Sequence, residues 1–147
     1  MPKLRPLDPT HPDLIRLLAA ENLPTQDLLS GKSAYFGWFS EQGDLLACGG
    51  IEDCGAHALI RSCVVAPDRK GKGQGRALVE ALMGEARARG YSGLYLLTET
   101  ASDFFAKFGF TRIKRDSVPK KVALSSQFAE ICPQSAITMT KRLDASS

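Results

Sequence analysis

Hydrophobic and polar positions change their spacing several times along this chain, and each change marks an element. Leu14, Leu17 and Leu18 share one face of a helix predicted over 13–21, behind a first strand near 3–6. Pro24 opens a second short helix that carries Leu28 and Leu29 and stops at Gly31. Strands are expected over 34–40 and 45–52, joined by Glu41-Gln42-Gly43-Asp44, whose residue types favour a turn. Residues 53–57 turn the chain again, into a strand running over 59–65. Leu78, Val79, Leu82, Met83 and Ala86 then recur at helical spacing until Arg87, Arg89 and Gly90 signal a stop. A strand over 93–97, a short helix over 101–108 and a strand near 111–115 follow. A long irregular connection over 117–133, holding Lys120, Lys121 and a short helical piece at 125–131, leads to a last strand over 136–143. This order describes a mixed α/β sheet in a single domain over 1–144, with 145–147 as a tail.

Composition narrows the class. At 147 residues, 44% apolar and 24% charged, the chain suits one globular domain. No apolar run approaches the length of roughly 18 residues that a membrane helix needs, and the start shows no signal-peptide pattern. A cytoplasmic protein without membrane contact is the expectation. The net charge of +3 is small, and the basic residues gather around a glycine cluster rather than along a stripe, which argues against nucleic acid. Cys48, Cys54, Cys63 and Cys132 show neither paired-ligand spacing nor a disulfide framework, so no metal site is expected. Cys48 and Cys63 read as packed strand residues.

The chemistry concentrates in Val64-Val65-Ala66-Pro67-Asp68-Arg69-Lys70-Gly71-Lys72-Gly73-Gln74-Gly75-Arg76, which leads from a strand into an amphipathic helix. Glycines spaced by one residue let successive backbone N–H groups converge without Cβ obstruction, and the helix aims its positive end at the same point. Such a segment can cradle a diphosphate; read alone, it is equally a solvated surface turn. It is no Walker loop, since no Gly-Lys-Ser/Thr follows four spacer residues, and its spacing is not that of a dinucleotide fingerprint.

With its Val-x-Pro lead-in, this segment resembles the acetyl-coenzyme A binding motif of the GNAT superfamily of N-acetyltransferases, with Lys70 where the family usually has Arg or Gln. A second match is Thr98-Glu99-Thr100-Ala101-Ser102-Asp103-Phe104-Phe105-Ala106-Lys107-Phe108-Gly109-Phe110, where the family has Asn, a short helix with Ala, and Tyr-x-x-x-Gly-Phe. The resemblance implies the GNAT fold, acetyl-coenzyme A as cosubstrate and a small amine as acceptor. It assigns cofactor contacts to Cys63, Val64, Val65, Lys70, Gly71, Lys72, Gly73, Gln74, Gly75, Arg76, Thr98, Phe104, Phe105 and Lys107. The strand before the cradle and the strand at 93–97 are expected to splay, so that the pantetheine arm pairs with backbone near Cys63, Val64 and Val65. A homodimer through the C-terminal strands is also common in the family.

Departures from the family sharpen the catalytic question. Many relatives carry a glutamate early in the strand before the cradle, where this chain has Ala58, Leu59 and Ile60. Glu52 is the nearest substitute as general base; alternatively it pairs with Arg61 across the hairpin. Asp53 and His57 in the turn are weaker bases. Phe105 stands at the family's usual Tyr, so no general acid is assigned, and Ser102, Tyr91 and Tyr95 read as caps or packing residues. Arg61, mid-strand, demands an anionic partner, either Glu52 or a substrate carboxylate. Phe36 and Ser62 join it as acceptor contacts. Together with the 97–101 and 104–105 residues, Phe128-Ala129-x-x-Cys132-Pro133-x-Ser135-Ala136 looks like the bacterial arsenic-resistance N-acetyltransferases and, more distantly, short glutamate N-acetyltransferases. That likeness assigns Ser135 to the distal anionic group of a glutamate-like amino acid such as arsinothricin, phosphinothricin or glutamate. Acetylation of an antibiotic, a polyamine or a protein N-terminus, or non-catalytic acyl-coenzyme A sensing, are the alternatives.

Overall fold

The computed structural model describes residues 4–20, 33–66, 73–99, 101–125 and 136–143. Seven strands form one mixed sheet in the order β1-β2-β3-β4-β5-β7-β6. They are β1 (Arg5–Leu7), β2 (Ser33–Phe39), β3 (Leu45–Cys54), β4 (His57–Val65), β5 (Gly93–Thr98), β6 (Thr111–Ile113) and β7 (Ile137–Arg142). The helices are α1 (Pro12–Ala20), α2 (Gln74–Ala88), α3 (Ser102–Ala106) and α4 (Lys120–Ala123). The chain divides into two compact units, Met1–Glu52 with Arg61–Gly84 and Asp53–Ile60 with Glu85–Ser147.

In the first unit, β2 pairs antiparallel with both β1 and β3. Ser40 Oγ accepts the N–H groups of Gln42 and Asp44 at 3.2 and 3.0 Å, which closes the β2–β3 turn over Gly43. Pro12 sits at the first position of α1, where its missing N–H costs nothing, and His11 Nδ1 accepts the Asp13 N–H at 3.1 Å. Leu14 and Leu18, one turn apart, bury into a core with Leu7, Tyr35, Leu45, Cys48 and Val64. A methyl added to Gly49 would lie 2.6 Å from Leu82 of α2, so this glycine lets the helix press against β3.

In the second unit, β4 pairs parallel with β5 through His57–Gly93, Ala58–Leu94 and Leu59–Tyr95. β7 pairs antiparallel with both β5 and β6. Cys54, Leu59 and Val122 are buried together, with Tyr95, Leu97 and Val118 against them.

Apart from shifts of one or two residues at element ends, four differences from the expectation stand out. The β3–β4 turn is confined to Gly55 and Ala56 rather than 53–57, because Asp53 Oδ1 accepts the Gly55 N–H at 3.0 Å and both strands run on to it. α3 spans five residues rather than 101–108, ended before the left-handed Gly109 (φ 91°). The strand expected to 115 stops at Ile113, and Arg115–Ser117 forms a 3-10 turn instead. α4 forms where an irregular connection was expected, since Val118 and Val122, four apart, both find apolar partners. The helices expected from Pro24 to Gly31 and, beyond Ser125, over 125–131 lie outside the described residues.

Candidate active site

Across the first unit, Tyr35 of β2 stands opposite Gly50 of β3. The ring packs against that glycine: a methyl there would meet its Cδ1 and Cε1 at 2.9 Å and would meet Arg61 Cγ at 3.3 Å. The Arg61 guanidinium carbon sits 5.9 Å from the Tyr35 ring centroid, within range of a cation–π contact. Its Nη1 donates to Glu52 Oε1 at 3.3 Å, and its Nε donates to Ser62 Oγ at 3.2 Å. Side-chain exposure is 0% for Arg61 and 3% for Glu52, so the pair is desolvated. Removing either partner would strand the other charge in a low-dielectric environment. Thus the structure joins Glu52, Arg61 and Ser62 in one polar cluster. Phe36 lies on the opposite face of β2 from Tyr35, against Gly49 rather than Gly50. Tyr35 is the aromatic that meets Arg61, and sequence reasoning missed it. The available signal was the glycine pair in a central strand, which makes room for a large neighbour.

Ser62 is left-handed (φ 59°), the one such non-glycine residue among those described. This conformation costs about 1–2 kcal/mol for an L-residue and breaks the regular pleat of β4 just after Arg61. Thiols line the break: Cys48 Sγ donates to the Ser62 carbonyl at 3.5 Å and Cys63 Sγ to the Arg61 carbonyl at 3.8 Å. Burial pushes the Cys48 thiol up to about 12. Burial, then the neighbouring Cys48, pushes Cys63 to about 12 as well. Both stay protonated near neutral pH and serve as packing groups rather than nucleophiles. No three His, Cys, Asp or Glu side chains among the described residues converge to hold a metal.

The start of α2 is the second part of the candidate site. Gly73 (φ 78°) is its N-cap, with its carbonyl accepting the Ala77 N–H at 3.2 Å. The N–H groups of Gln74, Gly75 and Arg76 therefore precede the first intrahelical donor. A Ser, Thr or Asp cap would occupy one of them; glycine has no side chain to do so. Gln74 Oε1 is buried without a hydrogen-bond partner among the described residues, whereas Arg76 is exposed and pairs with Glu80 at 2.9 Å. Lys70, Gly71 and Lys72 of the cradle, and Ser135, lie outside the described residues.

The second motif is a packed turn. Thr98 Oγ1 accepts the Ala101 N–H at 3.0 Å and so leads the chain into α3. Phe105 is buried edge-on to Phe104 and Phe110, with centroids 5.2 and 5.8 Å away. Lys107 is exposed in the turn after α3. Tyr91 lies against Asp53, and burial first, then that carboxylate, raises its phenol above the ordinary value, as suits a packing residue.

Residues 6–110 match the acetyltransferase (GNAT) family, and the chain belongs to it. Among curated relatives, the amino-acid acetyltransferase of Mycobacterium tuberculosis is 34% identical over 116 residues. That match takes in 74% of this chain, which spans only 62% of the relative's length. An N-acetylglutamate synthase from Neisseria gonorrhoeae, solved with coenzyme A and N-acetyl-glutamate, has a TM-score of 0.72 at 18% identity, over 98% of this chain and 36% of that one. A Mycobacterium tuberculosis protein solved in complex with CoA has a TM-score of 0.74 at 22% identity, over 97% and 99%. These likenesses establish a shared GNAT fold. No described helix is long and apolar enough to cross a membrane.

Proposed function

We propose that this acetyltransferase moves an acetyl group from acetyl-coenzyme A to the α-amino group of a small amino acid with a second anionic end. Glutamate, phosphinothricin and arsinothricin are the acceptors that the sequence resemblance suggests. The observation that carries this reading is the Arg61 guanidinium, wholly buried and held by Glu52, Ser62 and Tyr35. Such a group presents a fixed positive charge that an amino-acid carboxylate can share, at the point where β4 loses its regular pleat. The amino-acid acetyltransferase relative supports the same acceptor class.

Each group has a physical task. The main-chain N–H groups at the start of α2, with those of 70–72, receive the diphosphate, and backbone at Cys63, Val64 and Val65 receives the pantetheine arm. An N–H of that stretch steadies the negative charge that develops on the thioester oxygen. Glu52, directly or through water, accepts the proton that an amine of ordinary basicity must shed before it attacks. The amine nitrogen bonds to the carbonyl carbon, the C–S bond breaks, the sulfur leaves with the electron pair as thiolate, and the surplus proton on nitrogen goes to Glu52, which has by then passed the first one to water. Phe105 has no proton to offer it. A thiol with a pKa near 8.5 departs adequately without one at neutral pH.

The pairing of Glu52 with Arg61 and the absence of a hydroxyl at Phe105 favour, as a second reading, an acyl-coenzyme A sensor. Incubation with acetyl-coenzyme A and a panel of amines, following free thiol, separates them. Multiple turnovers are expected with glutamate, phosphinothricin and arsinothricin. Turnover with polyamines alone would overturn the acceptor class, and turnover with no amine would leave the sensor.

A further inference from the structure

One hydroxyl on the Arg61 face has no role in the site as described so far. Ser33 Oγ is buried and has no hydrogen-bond partner among the described residues. Leaving a polar group so placed is unfavourable, and such orphans call for an explanation. Ser33 stands directly opposite Glu52 in the β2–β3 ladder, as Tyr35 does opposite Gly50. Residues two apart on a strand share a face, and facing residues of an antiparallel pair have Cβ atoms about 5 Å apart. Ser33, Tyr35, Gly50 and Glu52 therefore lie on one face, the face onto which Arg61 projects.

We propose that the Ser33 hydroxyl accepts an N–H of the attacking amine and so orients it, an inference that rests on the amino-acid acceptor reading above. Charge decides which end of the substrate it meets. Beside the Glu52 carboxylate, a substrate carboxylate is repelled and an amine is attracted, while the carboxylate goes to Arg61. A neutral primary amine has two N–H groups and one lone pair. With one N–H toward Glu52 and the other toward Ser33 Oγ, the lone pair is left to attack. As the C–N bond forms and the C–S bond breaks, the proton on the Glu52 side passes to that carboxylate, free again once the first proton has gone to water, and the N–H on Ser33 remains in the amide product. A secondary amine keeps no N–H for Ser33 once it has reacted, so this hydroxyl selects primary amines.

The test compares kcat/KM for L-glutamate and N-methyl-L-glutamate in the wild-type chain, Ser33→Ala and Ser33→Thr. Ser33→Ala is expected to lose about tenfold on L-glutamate, to lose little on the N-methyl compound, and to keep the KM for acetyl-coenzyme A. Ser33→Thr, which retains the hydroxyl, is expected to restore most of the difference. Equal losses on both amines, or a Ser33→Ala chain with a higher melting temperature and unchanged kinetics, would overturn the Ser33 role while leaving the acceptor class intact. Failure of the wild-type chain to turn over L-glutamate would instead remove the reading on which the role depends, and the role with it.

Discussion

β4 behaves as two strands in one. Its first four residues, His57 to Ile60, form part of the second unit, where Ala58, Leu59 and Ile60 are buried and three of the four pair in register with β5. The remaining residues, 61–65, belong to the first unit and break nearly every rule the first part keeps. A charge is buried at Arg61, the backbone turns left-handed at Ser62, and thiols hydrogen-bond the two carbonyls at the break. A regular apolar stretch is the least costly way to build a central strand. Irregularity in the same strand, held by a cation, a carboxylate, a hydroxyl and an aromatic ring, falls in the half of β4 to which the proposed chemistry is assigned.

Matched substitutions in the two halves can break this contrast. Arg61→Ala leaves Glu52 buried without its cation, and a loss of about 3–5 kcal/mol is expected by chemical denaturation. In the fraction that folds, KM for the amino acid should rise by more than tenfold while coenzyme A affinity, read by calorimetry, is kept. Unchanged acceptor kinetics would remove Arg61 from the site. Leu59→Ala deletes a fully buried side chain from the apolar half and should cost about 2–5 kcal/mol. Its kinetics per folded molecule should match the wild type. A selective rise in acceptor KM for Leu59→Ala would erase the distinction between the halves. The double variant Glu52→Gln with Arg61→Met sharpens the point, because it removes both charges at similar volume and should restore much of the stability without restoring turnover.

How far the sequence exposed this contrast depends on range. Periodicity located all seven described strands and α1 to α3, since alternation and helical spacing are local properties. That a glycine cluster leads into α2 was legible too, because the apolar positions of the helix recur from Leu78 onward, but that Gly73 caps it emerges only from the structure. Glu52 and Arg61 were recognisable as partners from the hairpin between them. The positions of Tyr35 and Ser33 beside that pair were not, since they come from a third strand whose register with β3 depends on a bulge between Trp38 and Phe39. One slipped residue would have sent both side chains to the other face. α4 escaped notice because a single turn with two apolar residues has no period to detect; its burial against Cys54 and Leu59 creates it.

Ser62→Gly probes the break itself, with a smaller expected effect. Glycine adopts φ near 59° without the cost of about 1–2 kcal/mol that serine bears, yet it removes the acceptor of the Arg61 Nε bond, worth about 1 kcal/mol. The two nearly cancel, so the denaturation midpoint should move little. With its Nε released, Arg61 loses a constraint, and acceptor KM should rise a few-fold. A large loss of stability with normal kinetics would mean that the hydroxyl serves the fold alone.

The thiols offer the gentlest test of the irregular half, through pH. Cys48 and Cys63 are raised from 9.0 to about 12 by burial, so the folded chain holds protons that the unfolded chain releases first. Where the native state binds more protons, stability falls as pH rises. The contribution of these thiols is thus complete below about pH 9 and fades progressively between about 9 and 12. Cys48→Ala with Cys63→Ala should flatten the stability profile in that window and leave its slope near pH 7 unaltered. Alkylation points the same way, since a protonated, carbonyl-bound thiol reacts slowly: at pH 7.5 both residues should resist iodoacetamide in the folded chain and yield to it on unfolding. Rapid labelling of Cys63 in the native state would show that the backbone break is open to solvent, and the irregular half of β4 would then be held by less than its hydrogen bonds imply.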